Sequence, residues 1–105
     1  MMTNHWDLRY SGEDFYYGKK PNVFFADFLA TLEKRGKLLL PAEGEGRNAV
    51  HAAKLGWKVT AFDSSVVARE KALKFTDDEL VRIDYSQLDI ADFVADEQHF
   101  DLIAL

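Results

Sequence analysis

Between Lys37 and Val50 the chain reads Lys-Leu-Leu-Leu-Pro-Ala-Glu-Gly-Glu-Gly-Arg-Asn-Ala-Val, and no other segment constrains the fold as much. Three consecutive leucines between a lysine and a proline are too short a run for a helix and show no polar alternation. A run of this kind suits a strand buried on both faces, as in a parallel sheet. Pro41 lacks an amide hydrogen and ends the ladder. Gly44 and Gly46 then form a tight loop, and Asn48 to Leu55 reads as a helix. Its Ala49, Val50, Ala52 and Ala53 are small enough to let that helix lie close to a sheet. Gly56 suits the left-handed position that closes it.

The alternation continues along the chain. Phe24, Phe25, Phe28, Leu29 and Leu32 recur at helical spacing, which predicts a helix from Val23 to Arg35, capped by Asn22 and ended by Gly36. Trp57 to Phe62 reads as a second strand ending in Asp63. A helix capped by Ser64 or Ser65 runs through Phe75, with Glu70 and Lys74 spaced as an i,i+4 pair. Val81 to Leu88 reads as a third strand, Ile90 to Val94 as a helical turn, and Phe100 to Leu105 as a fourth strand. Strands alternating with helices give an α/β fold, a Rossmann-like parallel sheet with helices on both faces.

The 105 residues fit one domain. Residues 1–36 form a polar, aromatic cap and a helix, and residues 37–105 a βαβαβ(α)β half. The sequence stops inside the fourth predicted strand, so the expectation is a domain truncated there. An open sheet edge would then favour self-association.

Charge and composition narrow the function classes. A net charge of -5 disfavours a nucleic-acid partner, which needs clustered Lys and Arg. Lys19-Lys20 and Lys34-Arg35 are only pairs. No apolar run approaches the ~20 residues of a membrane span, and no signal peptide opens the chain. With no cysteine, disulfides and thiolate metal sites are excluded, and a reducing, cytoplasmic setting is expected. His5, His51 and His99 have no metal-binding or catalytic spacing. Asp7, Asp14 and Asp27 read as surface charges. Neither a metal nor a nucleophile paired with a base is predicted.

Ligands of doubly wound sheets bind at the carboxyl ends of the strands. Gly44-Glu45-Gly46-Arg47-Asn48-Ala49 lies there and matches G-x-G-x-x-A, a dinucleotide pattern. Asp63, at the end of the next strand, is placed to accept hydrogen bonds from ribose hydroxyls. Glu43 and Glu45 flank Gly44 and would repel a pyrophosphate. They suit a ligand with a sulfonium and an ammonium. At ~4 Å one charge pair is worth about 1 kcal/mol in water and about 4 kcal/mol at a surface-like dielectric. Arg47 opposes this bias, or meets a carboxylate of the ligand.

These residues resemble a known group. Leu38 to Val50 is similar to the first cofactor motif of class I S-adenosylmethionine-dependent methyltransferases. Within that group the loop is most similar to small bacterial enzymes related to the tellurite-resistance and thiopurine methyltransferases. Trp6 to Tyr10, Tyr17 to Asn22, Val59 to Ser65, Val81 to Tyr85 leading to Asp89-Ile90, and Phe100 to Ile103 resemble theirs in the same order. The resemblance implies S-adenosyl-L-methionine as cofactor and Ala42, Glu43, Gly44, Gly46, Asp63, Ser64, Asp89 and Ile90 as its binding residues. It places the methionine part over Gly44 and Gly46, the ribose on Asp63, and the adenine at Asp89 and Ile90. The Tyr10 and Tyr17 region would fold over the cofactor. Two positions depart from the pattern. Leu40 stands where the family often has an acid, which Glu43 would replace, and Ala42 where it often has glycine. The implied activity is methyl transfer to a small molecule, with catalytic residues unassigned. The alternatives are a non-catalytic S-adenosylmethionine-binding module and an NAD-dependent oxidoreductase.

Overall fold

The computed structural model describes residues 5–12, 14–93 and 100–104. The order is α1 (His5–Arg9), α2 (Val23–Ala30), β1 (Lys37–Pro41), α3 (Arg47–Lys54), β2 (Lys58–Asp63), α4 (Val66–Asp78), β3 (Asp84–Gln87), a 3₁₀ turn (Ile90–Asp92) and β4 (Leu102–Ile103). The four strands form one parallel sheet in the order β3-β2-β1-β4. Strand order therefore reverses at β1, and the crevice beyond the carboxyl ends of β1 and β4 is where such sheets take ligands.

The leucine run is buried as its composition requires, with Leu38, Leu39 and Leu40 at 0%, 2% and 3% exposure. Register pairs Leu38 with Val59 and Leu40 with Ala61, and Ala61 in turn with Tyr85. These side chains share one face, where they meet Leu29 of α2, Ala49 and Ala52 of α3, and Ala72 of α4. The alanines permit the close approach that the sequence suggested. Right-handed crossovers from β1 to β2 and β2 to β3 run in one direction, so α3 and α4 fall on the same side. On the other face Phe62 packs against Phe93, with ring centroids 4.7 Å apart.

Several boundaries differ from the sequence expectation. α2 ends at Ala30, five residues before Arg35, because the Thr31 hydroxyl and amide both bond to the Phe28 carbonyl, at 2.7 and 3.0 Å. A side chain that takes a backbone carbonyl in this way competes with the helix. α4 runs past Phe75 to Asp78, and its cap is Ser65, whose hydroxyl accepts the Ala68 amide at 3.0 Å. β3 is shorter than Val81 to Leu88. Val94 and Leu105, assigned to the helical turn and the last strand, lie outside the described residues. Among the described residues no helix is long and apolar enough to cross a membrane.

Asp7 is not the surface charge its sequence context suggests. Its carboxylate accepts the Ser65 hydroxyl at 2.5 Å and the Val67 amide at 3.2 Å. An acid at a helix N-terminus meets unsatisfied amides and the positive end of the dipole. Through this contact α1 is fastened to α4 and brings Tyr10 over the glycine loop.

Candidate cofactor cleft

The loop after β1 is shaped by its backbone. Ala42, Gly44 and Gly46 all have positive φ, at 52°, 70° and 93°. Asp63 holds the loop from β2: one carboxylate oxygen accepts the Gly44 amide at 2.9 Å and the other accepts the Ser65 amide at 2.9 Å. Asp63 is thus 7% exposed and oriented before any ligand arrives. Tyr85, on β3, reaches beneath β2 and donates to the Gly44 carbonyl at 2.5 Å. Burial, then the charge of Asp63, drives the Tyr85 phenol far above its ordinary pKa, so it remains a neutral donor. Sequence reading missed Tyr85 as part of the loop, because an aromatic residue in a strand signals only packing.

The two loop acids have different tasks from those inferred from charge. Glu45 is 5% exposed, ion-paired with Lys71 at 2.8 Å, and accepts the Tyr16 amide at 2.6 Å. It anchors the N-terminal segment to α4 and does not present its charge to a ligand. Glu43 folds over the start of α3 and accepts the Ala49 amide at 2.6 Å. Enclosure of its carboxyl pushes its pKa up to about 8, against the pull of the Ala49 and Asn48 amides. The Leu40 side chain, where the resemblance expects an acid, is in the core. The Ala49 and Asn48 amides at the start of α3 are thus engaged by Glu43.

The glycines serve packing. A Cβ on Gly44 would stand 2.9 Å from the Tyr10 hydroxyl, and one on Gly46 would stand 2.9 Å from the Ala72 Cβ. At both positions a side chain is therefore excluded by packing within the protein.

Two adjoining clefts remain open at the carboxyl end of the sheet, and Tyr10 and Ala42 line both. The first, about 240 Å³, is bounded by Asp63, Ser64, Leu88, Asp89 and Ile90. It gathers the four residues expected to hold a ribose and an adenine: Asp63, Ser64, Asp89 and Ile90. One Asp89 oxygen accepts the Ala91 amide at 3.0 Å and so caps the 3₁₀ turn. The second, about 470 Å³, runs from Leu40, Pro41, Ala42 and Glu43 past Arg47 to Tyr17 and α2. Ala104, just after β4, also lines it, so it opens at the strand-order reversal.

No family model matches the chain, and no curated protein matches it. Solved structures do. One, from work on the conversion of a disulfide bond into a thioacetal group during echinomycin biosynthesis, is 27% identical, with a TM-score of 0.81 over 98% of this chain and 46% of that one. TehB from Haemophilus influenzae is 22% identical, with a TM-score of 0.68 over 84% of this chain and 30% of that one. Magnesium protoporphyrin IX methyltransferase from Synechocystis PCC 6803, crystallised with bound SAH, is 18% identical, with a TM-score of 0.66 over 76% and 37%. The chain thus spans less than half the length of each of these three. From the sheet order, the glycine loop and these likenesses together, the chain has the Rossmann-like fold of the class I S-adenosylmethionine-dependent methyltransferases.

Proposed function

We propose that this chain binds S-adenosylmethionine and contributes the cofactor side of a methyltransferase acting on a small molecule. The observation that carries this reading is the pairing of a carboxylate-lined cleft with a blocked phosphate site. Asp63 stands at the end of β2 beside the apolar walls of Leu88 and Ile90, while Glu43 occupies the α3 amides. A nucleoside without phosphate fits that combination. In this reading Asp63 accepts the ribose hydroxyls, Leu88 and Ile90 flank the adenine, and Asp89 faces its amino group.

The cofactor supplies the activated methyl group and leaves as a neutral thioether. The chain's residues bind and orient: Asp63 and Tyr85 fix the loop, and Tyr10 closes the cleft above Gly44. Burial, then Asp63, raises the Tyr10 pKa, so its hydroxyl adds no charge beside the sulfonium.

The reading is tested by titration calorimetry with S-adenosylhomocysteine and with NADH, followed by transfer of a labelled methyl group to a panel of acceptors. Binding of the homocysteine product, and its loss on Asp63→Ala, is expected. Preference for NADH would overturn the reading in favour of an oxidoreductase. A second reading is a binding module without turnover. It would be recognised by tight cofactor binding with no labelled product.

A further inference from the structure

The second cleft, about 470 Å³, has an aromatic outer wall. Phe24 and Phe28 lie four residues apart on α2, so they share one helix face, and both line this cleft together with Tyr17. Phe24 is 87% exposed and Phe28 48%, whereas their neighbour Leu29 is buried in the core. Core packing therefore does not account for the two rings. Isolated exposed apolar residues need no explanation, but aromatic rings converging on a concave space of ligand size mark a binding surface.

We propose that Tyr17, Phe24 and Phe28 form the methyl-acceptor shelf, and that the acceptor is a planar aromatic small molecule, neutral or anionic. The assignment rests on the cofactor reading above and deepens it. Position is the first argument. The shelf is continuous with the cofactor cleft, because Tyr10 and Ala42 line both spaces. A molecule lying on the shelf therefore abuts the place where the two clefts join, at Ala42.

Charge is the second argument. Among the described residues, only two ionisable side chains other than tyrosines line this cleft, Glu43 and Arg47. The Glu43 carboxyl is turned onto the amide of Ala49, whereas the Arg47 guanidinium lies 5.4 Å from the centre of the Tyr17 ring. The charge beside the shelf is thus positive and repels a cationic acceptor. Polarity is the third. Asn22 and Asn48 are already joined, the Asn22 amide donating to the Asn48 side-chain oxygen at 2.8 Å. The shelf itself, Tyr17, Phe24 and Phe28, offers ring faces and apolar contact. Flat rings stack well on such a wall.

The test uses 2-naphthoate as an anionic planar probe, 2-naphthylmethylammonium as its cationic counterpart and cyclohexylacetate as a non-planar acid. Each is titrated by calorimetry against the whole chain with S-adenosylhomocysteine present. Naphthoate is expected to bind about tenfold more tightly than either comparison compound, and to lose about tenfold in the Phe24→Ser, Phe28→Ser double variant. Val23→Ser changes an exposed residue of the same helix outside the cleft, and should leave naphthoate affinity unchanged. Equal binding of the three probes, or naphthoate affinity that survives the double variant, overturns the proposal. So does a double variant whose main change is from dimer to monomer in sedimentation, since a second copy would then be the occupant. The homocysteine titration of the unaltered chain separates the two failures. If that product binds and naphthoate does not, only the acceptor shelf is wrong. If it does not bind, the cofactor reading falls and the shelf assignment falls with it.

Discussion

The Tyr85 phenol donates a hydrogen bond of 2.5 Å to the carbonyl of Gly44, a residue 41 positions earlier in the chain. Because Asp63 accepts the amide of the same glycine at 2.9 Å, the Gly44 residue is held at both its polar atoms by two adjacent strands. A loop with three positive-φ residues has many alternative conformations, and these two bonds select one. Tyr85→Phe keeps the ring in the core and removes only the donor. The Gly44 carbonyl is then buried without its partner, which costs about 1–3 kcal/mol. Urea denaturation should show that loss, and calorimetry should show weaker binding of S-adenosylhomocysteine. An unchanged denaturation midpoint would mean that water replaces the phenol and that the loop does not depend on it.

Glu43 should make stability depend on pH in an unusual direction. Its carboxyl is pushed up to about 8 by enclosure, above the ordinary value of 4.5. The folded chain therefore binds this proton more tightly than the unfolded chain does. The stabilisation is fully present below pH 4.5 and is lost as pH rises through about 8. Glu43→Gln retains an oxygen to accept the Ala49 amide but cannot ionise. Thermal unfolding measured between pH 5 and 9 should show a decline in Tm for the parent that is smaller in the variant. Parallel pH profiles for the two proteins would show that the carboxyl is solvated.

Much of this architecture is legible in the sequence because burial and backbone constraints act locally. The leucine run reads as an interior strand, Asn22 and Ser65 are capping residues, and the alanines of α3 permit close contact with the sheet. The sequence also identifies Asp63, Ser64, Asp89 and Ile90, which the fold brings to one cleft. What local reading misses is direction. Glu43 and Glu45 lie on either side of Gly44, yet one turns onto α3 and the other pairs with Lys71 on α4. Adjacent position says nothing about which partner 26 residues away will claim a carboxylate. Asp7 shows the same effect, since its partner Ser65 lies 58 residues further on. Tyr85 and the exposed rings of Phe24 and Phe28 have ordinary packing signatures, and only the tertiary arrangement separates them from core residues.

Gly46 gives a direct test of packing against ligand contact. Its φ of 93° is unfavourable for any side chain, and an added Cβ would stand 2.9 Å from the Ala72 Cβ and 3.2 Å from its Cα. Gly46→Ala should destabilise by about 1–2 kcal/mol from the backbone alone, with a further ~1–3 kcal/mol from overpacking against α4. Ala72→Gly removes the clash but not the backbone strain. In a double-mutant cycle the pair should be less destabilised than the sum of the single changes. Strict additivity would show that α4 moves aside and that the glycine is required for conformation only.

Ala42 predicts the opposite outcome from a change of the same size. It has a φ of 52°, a left-handed conformation that an L residue adopts at a cost of about 1–2 kcal/mol. Ala42→Gly relieves that strain, while glycine's greater freedom in the unfolded chain takes back about 0.5–1 kcal/mol. The balance is a gain of up to about 1.5 kcal/mol, measurable as a higher denaturation midpoint. Ala42 lines both clefts, so the same variant also reports on the ligand. If the bound cofactor touches the loop backbone here, removing a methyl group leaves S-adenosylhomocysteine affinity equal or improved. A more stable variant that binds the product less well would show that the Ala42 methyl itself is part of the contact surface, and that the loop carries side-chain recognition where glycine would serve for shape.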